Sequence, residues 1–127
     1  DFIAGFPTES EAMFAGSLAL VDDAGLSSLH VFPYSARPGT PAAKMPQQSR
    51  TTVKERAARL RAKGEAAQTA RLDAMAGSLP TVLVERGDIG RTPCFTPVAL
   101  PKGLTPGSLA RIAVTGRSRS HLTGVPQ

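Results

Sequence analysis

The first 34 residues alternate between extended and helical patterns, and this alternation limits the possible folds more than any other feature of the chain. Residues 2–6 form a short apolar run that ends at Pro7, and residues 29–32 form a second run that ends at Pro33. Both runs are typical of buried strands. A strand, a helix and a strand in so short a segment predict a right-handed crossover with parallel strands. Because two parallel strands cannot bury both faces, this segment needs more sheet than the chain contains.

The segment between these strands has the signals of a helix. Thr8 and Glu11 match a capping box, with Thr8 as N-cap and the Glu11 side chain reaching back to its amide. Gly25 follows as a left-handed C-terminal cap. The apolar face is marked by residues at spacings of four and three: Phe14, Leu18 and Val21.

A second helix follows a loop rich in Pro, Gly and Ser at residues 35–50. We predict this helix over residues 52–75, with a capping box at residues 52–55. One narrow apolar face is formed by Val53, Ala57, Leu60, Gly64 and Ala67. The other faces are basic, through Lys54, Arg56, Arg59, Arg61 and Lys63. A helix this polar packs on a larger body along one stripe, and its charges form either a solvated outer face or a binding surface.

From about Leu79 the hydrophobic period changes from 3.6 residues to 2. Turn signals rich in Gly separate short extended runs, and Pro93 and Pro97 interrupt one of them, as at sheet edges or bulges. The predicted strands cover residues 81–85, 92–100 and 109–115 and a short stretch around 121–122, with turns at 86–90, 102–107 and 116–120. Short strands at regular intervals predict a small antiparallel β-barrel.

Charge is distributed unevenly along the chain. Residues 1–36 contain five acidic and no basic residues, whereas residues 37–127 contain all fifteen basic residues and carry a net charge of +10. A basic part joined to an acidic part suggests a polyanionic partner for the basic part. Composition alone leaves scattered surface charge as the alternative.

The sequence excludes several kinds of site. A single cysteine, Cys94, rules out an intrachain disulfide and a cysteine-ligated metal site made by this chain alone. His30 and His121 are far apart and lack ligand-like neighbours, so we interpret His30 as a packed strand residue. No strand–turn–helix elbow presents a nucleophilic serine. The residues predict no metal site and no catalytic residue.

The chain has no apolar stretch near the roughly 18 residues of a membrane span. It also lacks the features of a signal peptide. We expect a cytoplasmic protein with no membrane partner. Because the chain opens inside a predicted strand, we also expect that an N-terminal part is missing.

Two motifs resemble those of radical-SAM tRNA methylthiotransferases. Residues 1–9 read DFIAGFPTE, similar to a late barrel strand of that family, D-x-I-x-G-F-P-G-E. Residues 30–42 read HVFPYSARPGTPA, similar to its final-strand motif Y-S-x-R-x-G-T-x-A, and the K-x-R start of the next helix is also similar. The wording HVFPYS most resembles the branch acting on N6-threonylcarbamoyladenosine beside the anticodon of tRNA. Thr8 departs from the family's usual Gly, and we expect little effect.

The resemblance implies a fold of class α/β plus all-β. It divides the chain into the C-terminal βαβ end of a radical-SAM partial TIM barrel (1–50), a connecting basic helix (51–76) and a TRAM-like or OB-like barrel that binds RNA (77–127). The cofactors it implies for the parent protein are S-adenosylmethionine and iron–sulfur clusters. The family's CxxxCxxC motif is absent, so we expect this chain alone to bind neither cofactor and to be inactive.

The resemblance also assigns roles to residues. Gly5, Phe6 and Pro7 lie where a barrel strand ends, the face on which such barrels place their sites, and Phe32 and Tyr34 are placed to flank an adenine. Arg37 is expected to pair with a phosphate or a carboxylate. Binding of the anticodon stem–loop of tRNA is assigned to the basic residues of the barrel and its one candidate stacking residue, namely Arg91, Lys102, Arg111, Arg117, Arg119 and Phe95.

Two other functions remain open from the sequence. One is a standalone, non-catalytic RNA-binding module in which the βαβ segment is only a scaffold. The other is a methylthiotransferase that acts on a ribosomal protein. In the leading hypothesis the partners are tRNA and the missing N-terminal part of the same protein.

Overall fold

The computed structural model describes residues 1–127, which form two compact units, Asp1–Gln68 and Thr69–Gln127. Each unit has its own hydrophobic core. No helix in the chain combines the length and the apolar character that crossing a membrane requires.

The first unit contains a two-stranded parallel sheet with helices on one face. Its elements are β1 (Phe2–Ala4), α1 (Glu11–Asp23), β2 (Val31–Pro33), a short 3₁₀ turn (Ala42–Lys44) and the start of α2 (Arg50–Ala74). Phe2 pairs with Val31 and Ala4 with Pro33, so the predicted parallel pairing is confirmed. Strand β1 is shorter than the predicted run because Gly5, at φ +84°, leaves the extended region.

Helix α1 begins later than predicted, and the predicted cap is wrong. Ser10 is the N-cap, and its hydroxyl accepts a hydrogen bond from the amide of Met13 at 3.2 Å. The C-terminal end is as predicted: Gly25 adopts a left-handed φ of +62°, and the amide of Leu26 donates to the Val21 carbonyl. Both ends of α1 thus have partners for their terminal backbone groups.

Helix α2 begins earlier than predicted. It starts at Arg50, and the Ser49 hydroxyl accepts the hydrogen bond from the Thr52 amide at 3.1 Å. The predicted capping box at residues 52–55 is therefore inside the helix. A serine just before the first turn is as good a cap as threonine, so local propensity alone does not choose between them.

The core of the first unit lies between the sheet and the two helices. Its fully buried members come from β1, α1 and α2, and are Ala4, Phe14, Val21, Ala57 and Leu60. The apolar faces predicted for both helices are therefore confirmed. On the other face of the sheet, Ile3 and Phe32 lie opposite each other in register and are 60% and 53% exposed. This face is uncovered in the chain.

The second unit is a closed five-stranded barrel. Its strands are β3 (Thr81–Val84), β4 (Ile89–Arg91), β5 (Pro97–Ala99), β6 (Leu109–Arg117) and β7 (Leu122–Pro126). Their order around the barrel is β3-β4-β5-β7-β6, closed by pairing of β6 with β3. A five-stranded closed barrel has the strand number of the OB-fold.

The prediction of a wholly antiparallel barrel is wrong at one position. Strands β5 and β7 pair in parallel, with Val98 opposite Leu122. A ring with an odd number of strands cannot alternate in direction all the way round, so five strands require one parallel pair. The pattern of residues along the chain carries no information on this point.

The predicted strand over residues 92–100 is correct only at residues 97–99, and β4 lies earlier, partly in the predicted turn at 86–90. The chain turns between β4 and β5, where the Thr92 hydroxyl accepts from the Thr96 amide at 3.1 Å and Phe95 adopts φ +62°. The last strand begins at Leu122 and runs further than predicted, to Pro126. Strand β6 extends to Arg117, past an irregularity in its pairing between Val114 and Gly116.

The barrel closes around a small apolar core, whose largest fully buried members are Leu72, Val82, Val98, Ile112 and Leu122. Two glycines allow this close packing. A Cβ atom on Gly90 would lie 2.3 Å from Val82 Cγ1, and one on Gly124 would lie 2.4 Å from Ile112 Cγ2. No larger residue fits at either position without a shift of the core.

Candidate functional site

A cavity of about 450 Å³ opens at the carboxyl end of β2. Its lining comes from the exposed face of the sheet and from the following loop: Ile3, Phe32, Pro33, Tyr34, Ser35, Arg37, Thr40 and Ala42. The structure therefore brings three residues of the predicted site, Phe32, Tyr34 and Arg37, to one cavity.

Local hydrogen bonds shape the loop that carries Arg37. The Thr40 hydroxyl donates to the Arg37 carbonyl at 2.8 Å and accepts from the Ala43 amide at 3.3 Å. Gly39 between them has φ +84°. The Arg37 side chain has no hydrogen-bond or ion-pair partner in the chain. The cavity thus offers apolar and aromatic walls with one cation, a surface suited to a flat apolar group that carries an anion.

The three other residues predicted for this site do not line the cavity. The Phe6 ring meets the Tyr34 ring edge to face, with centroids 5.5 Å apart. The close contacts of Gly5 are with other residues of the chain. Its amide donates to Glu9 Oε1 at 3.0 Å, and a Cβ atom on Gly5 would lie 2.6 Å from Val53 Cγ2. The carbonyl of Pro7 accepts a hydrogen bond from Gln48 Nε2 at 3.3 Å.

A buried ion pair that was not expected from the sequence holds the loop after β1. Arg56 is only 7% exposed, and its Nη1 donates to the Glu9 carbonyl at 2.7 Å and to Glu9 Oε1 at 3.0 Å. Gln48 Nε2 donates to the same carbonyl at 2.7 Å. The opposite charges of Glu9 and Arg56 were visible in the sequence, but nothing indicated that residues 47 positions apart meet.

Most of the basic side chains of α2 have partners in the first unit. Arg59 Nη1 donates to Glu11 Oε1 at 2.7 Å, and this hydrogen bond is the main reason that the pKa of Glu11 is lowered. Lys63 pairs with Asp22, and Arg61 Nη2 donates to the Val31 carbonyl at 3.1 Å. The sequence left open whether these charges form a solvated face or a binding surface. In the structure they mainly hold α2 against the β1–α1–β2 segment.

In the barrel, three of the predicted RNA-binding residues lie in one region. Arg91 on β4 and Arg111 on β6 flank β3, opposite Leu83 and Thr81 respectively. Arg91 Nη1 also donates to the carbonyl of Phe95, at 3.4 Å. Phe95 is 80% exposed, so its ring faces solvent at a turn. Arg91 also forms an ion pair with Glu85, in which Arg91 Nε lies 3.3 Å from Glu85 Oε2.

The other three predicted RNA-binding residues lie elsewhere in the barrel. Lys102 is in the loop between β5 and β6, and Arg119 is in the turn between β6 and β7. Arg117 forms a two-pronged ion pair with Asp73, with Nη2 and Oδ2 3.1 Å apart. The hydrogen bond from Arg117 is the main reason that the pKa of Asp73 is lowered, and it raises the pKa of Arg117.

The histidines and the cysteine do not form a site. His30 is not packed, contrary to the prediction: its side chain is 76% exposed, and its Nδ1 lies 3.0 Å from Asp1 Oδ1. The Nδ1 atom of His121 lies 2.8 Å from the Ser118 hydroxyl. Cys94 is free and exposed. No group of three or more His, Cys, Asp or Glu side chains is placed to hold a metal ion.

Comparison with known proteins identifies the relatives of this chain. No family model matches it. It is 40% identical, over 96% of its length, to the threonylcarbamoyladenosine tRNA methylthiotransferase MtaB of Rickettsia prowazekii. It is also similar to two tRNA-2-methylthio-N(6)-dimethylallyladenosine synthases, that of Sorangium cellulosum (47% identical over 69% of the chain) and that of Cereibacter sphaeroides (36% over 98%).

These relatives confirm the resemblance given by the two motifs: the chain belongs to the tRNA methylthiotransferase family. The MtaB protein and the Cereibacter sphaeroides synthase are both matched over nearly all of the chain. The chain spans 29%, 18% and 30% of the lengths of these three relatives. It therefore corresponds to less than a third of a family member.

Proposed function

We propose that this chain is the C-terminal part of a radical-SAM tRNA methylthiotransferase that adds a methylthio group to C2 of N6-threonylcarbamoyladenosine beside the anticodon. The observation that carries the proposal is the convergence of Phe32, Tyr34 and Arg37, all from the family motif, on one cavity. The relatives, all of which are tRNA-modifying enzymes by name, support it.

The choice of nucleoside rests on two features. The wording of residues 30–35 resembles the threonylcarbamoyladenosine branch, and MtaB carries that nucleoside in its name. The test is mass spectrometry of tRNA nucleosides from a strain that lacks the parent gene. We expect loss of 2-methylthio-N6-threonylcarbamoyladenosine alone. Loss of the dimethylallyladenosine derivative instead would assign the protein to the other branch, and unchanged tRNA would support a protein substrate.

The cavity fits the edge of an S-adenosylmethionine site. Its aromatic walls suit an adenine, and Arg37 suits a carboxylate. In the parent protein, S-adenosylmethionine and iron–sulfur clusters would supply the radical chemistry and the methylthio group. In this proposal Phe32 and Tyr34 flank the adenine, Arg37 pairs with the anion, and residues 5–7 form the adjoining wall. The Glu9–Arg56 ion pair keeps that wall in place.

Arg37→Gln in the parent protein tests this assignment. Loss of a charge-assisted hydrogen bond of about 1.5–3 kcal/mol should weaken S-adenosylmethionine binding roughly tenfold or more. Arg71→Gln removes the same charge from an exposed position of the second unit and should leave that affinity unchanged. Equal affinities of both variants and the unmodified protein would remove Arg37 from the site.

We further propose that the barrel binds the anticodon stem–loop of tRNA. Arg91, Arg111 and the exposed ring of Phe95 support this role, since small barrels bind RNA with cations and stacking aromatics. Lys102, Arg117 and Arg119 would add phosphate affinity around them. We expect affinity for a stem–loop RNA to fall steeply with salt, as counterion release requires. An affinity that does not depend on salt would contradict this role.

Phe95→Ala separates stacking from charge. It should weaken binding by about 1–3 kcal/mol, as loss of one stacked base does, without changing the salt dependence.

The proposal also divides the chain into three parts of a cytoplasmic enzyme. Residues 1–50 form the end of the radical-SAM barrel, residues 51–76 form the connecting helix, and residues 77–127 form the TRAM-like domain. The uncovered sheet face that carries Ile3 would adjoin the remainder of the parent protein, with the cavity at its edge.

A further inference from the structure

A second groove, also lined by Tyr34, lies between the end of β2 and helix α2. It consists of a cavity of about 420 Å³ and an adjoining one of about 190 Å³, which share Tyr34, Arg50 and Val53. The larger cavity is also lined by Lys54 and Arg61. No carboxylate lines either cavity, so this groove, here called the α2 groove, is a cationic surface.

The cations of the α2 groove differ from the rest of α2 in their partners. Arg56, Arg59 and Lys63 all bind acidic residues. Arg50 and Lys54 have no acidic partner, and Arg61 donates to a backbone carbonyl, which leaves its charge uncompensated by that contact. These three cations outside the groove therefore have acidic partners, whereas Arg50 and Lys54, which line the groove, do not.

The position of Arg50 is electrostatically unfavourable in the chain alone. It is the first residue of α2, whose first turn contains no acidic residue. A helix N-terminus carries a partial positive charge that acts over the first turn, so a cation there is repelled by the helix dipole. An anion in the groove would offset this repulsion.

Tyr34 lines both parts of the groove and carries an unsatisfied hydroxyl. Its hydroxyl oxygen is inaccessible to solvent and has no hydrogen-bond partner. Leaving a hydroxyl buried and unsatisfied costs about 1–3 kcal/mol. The ring is held in place by its edge-to-face contact with Phe6. A polar ligand that reached this hydroxyl would supply the partner that the chain lacks.

We propose that the α2 groove binds phosphate groups of the RNA backbone. Arg50 and Lys54 are four residues apart, about 6 Å along the helix, and so can meet neighbouring phosphates of one strand. The proposal rests on the proposed function, because it identifies a second RNA contact, outside the barrel. Tyr34 lines both the first cavity and this groove, and in this proposal its hydroxyl donates to a phosphate.

Lys54→Gln tests the groove in the full chain, with a stem–loop RNA as the probe. One lost phosphate contact should lower the slope of log K against log salt by about 0.7–0.9. Lys44→Gln is the matched control, since it removes the same charge from an exposed lysine of the first unit that lies outside the groove. Identical slopes for the two variants would overturn the proposal.

Tyr34→Phe provides a second readout. Removing an unsatisfied hydroxyl should leave the melting temperature unchanged or raise it, while the affinity for RNA falls several-fold. A variant that melts higher and binds RNA as well as the unmodified chain would show that the hydroxyl has no ligand there.

Titration with inorganic phosphate tests whether the groove binds phosphates of RNA or free phosphate. We expect RNA, but not phosphate at the same phosphorus concentration, to shift the amide resonances of residues 34–35 and 50–54. Saturation by phosphate alone, with equal salt slopes for the two lysine variants, would indicate a small-anion site and overturn the RNA assignment. The nucleoside measurement tests the proposed function separately. If tRNA modification is unchanged in the deletion strain but Lys54→Gln still weakens RNA binding, the proposed function fails and the groove proposal stands. If modification is lost but the two lysine variants bind alike, the groove proposal fails and the proposed function stands.

Discussion

Gly5 is the residue on which two constraints coincide. Its φ of +84° is disfavoured for any residue with a side chain, and a Cβ atom would lie 2.6 Å from Val53 Cγ2. The family motif connected this glycine with a ligand. In the structure the close approach is to helix α2, so the shape of the proposed cofactor loop depends on protein packing.

Gly5→Ala should therefore destabilise the chain by about 2–4 kcal/mol, from backbone strain and overpacking together. Gly25→Ala separates the two terms, because Gly25 has φ +62° but no atom within 4 Å of the position that a Cβ atom would occupy. It should cost about 1–2 kcal/mol. Urea denaturation of both variants measures the difference, and equal losses would mean that the contact with Val53 is unimportant.

Asp73 provides a prediction for pH. Its pKa is below the ordinary 3.8 because Arg117 donates to it, so the pair stabilises the folded chain at all pH values well above 3.8. This stabilisation is lost as the pH falls below 3.8 and through the lower value of the folded state. Asp73→Asn should be less stable than the unmodified chain at neutral pH, and the difference should shrink on acidification. A difference that does not change with pH would contradict the pairing.

At the level of elements, α2 is joined to the β1–α1 loop and to the first residue of α1 by two arginines that differ in burial. Arg56 and Glu9 have side chains only 8% and 11% exposed, whereas Arg59 and Glu11 are 41% and 63% exposed. Both guanidinium groups lie near the ring of Phe14. Chemically similar contacts are therefore made in two different environments.

Arg56→Met should destabilise the chain by about 3–5 kcal/mol, because it leaves the Glu9 carboxylate buried without its counter-charge. Arg59→Met, one turn along the same helix, should cost clearly less, because exposed ion pairs contribute little to stability. Chemical denaturation at neutral pH compares the two. A small loss for Arg56→Met would show that Glu9 finds another partner or water.

The ends of these elements show where prediction from sequence stops. The apolar faces of α1 and α2 were predicted correctly, because burial must follow the helical period. Their first residues were not, since Ser10 and Ser49 serve as caps where the sequence offered threonines nearby. The turn between β4 and β5 was missed because its left-handed residue is Phe95, which rarely adopts that conformation.

At the scale of the whole molecule, the chain contains two separate hydrophobic cores. Leu60 is fully buried in the first and Ile112 in the second. Helix α2 supplies residues to both, through Leu60 and Leu72. A helix that takes part in two cores is a natural boundary for local unfolding.

Ile112→Ala should cost about 2–5 kcal/mol and act mainly on the barrel. We expect faster hydrogen exchange of amides in strands β3 to β7, with unchanged exchange in α1 and around β1 and β2. Leu60→Ala is the reciprocal variant and should have the opposite pattern. If either substitution speeds exchange throughout the chain, the two units unfold as one.

The sequence by itself determined the family, the parallel βαβ segment, the apolar faces of both helices and the existence of a small barrel. These depend on local periodicity and on motifs that are contiguous in the chain. The tertiary structure alone decided which cations are neutralised, which residues share a cavity and which barrel strands run parallel. Glu9 meets Arg56, and Tyr34 lies between two cavities, only because distant segments pack together. Such meetings depend on the direction of whole elements, which no local pattern encodes.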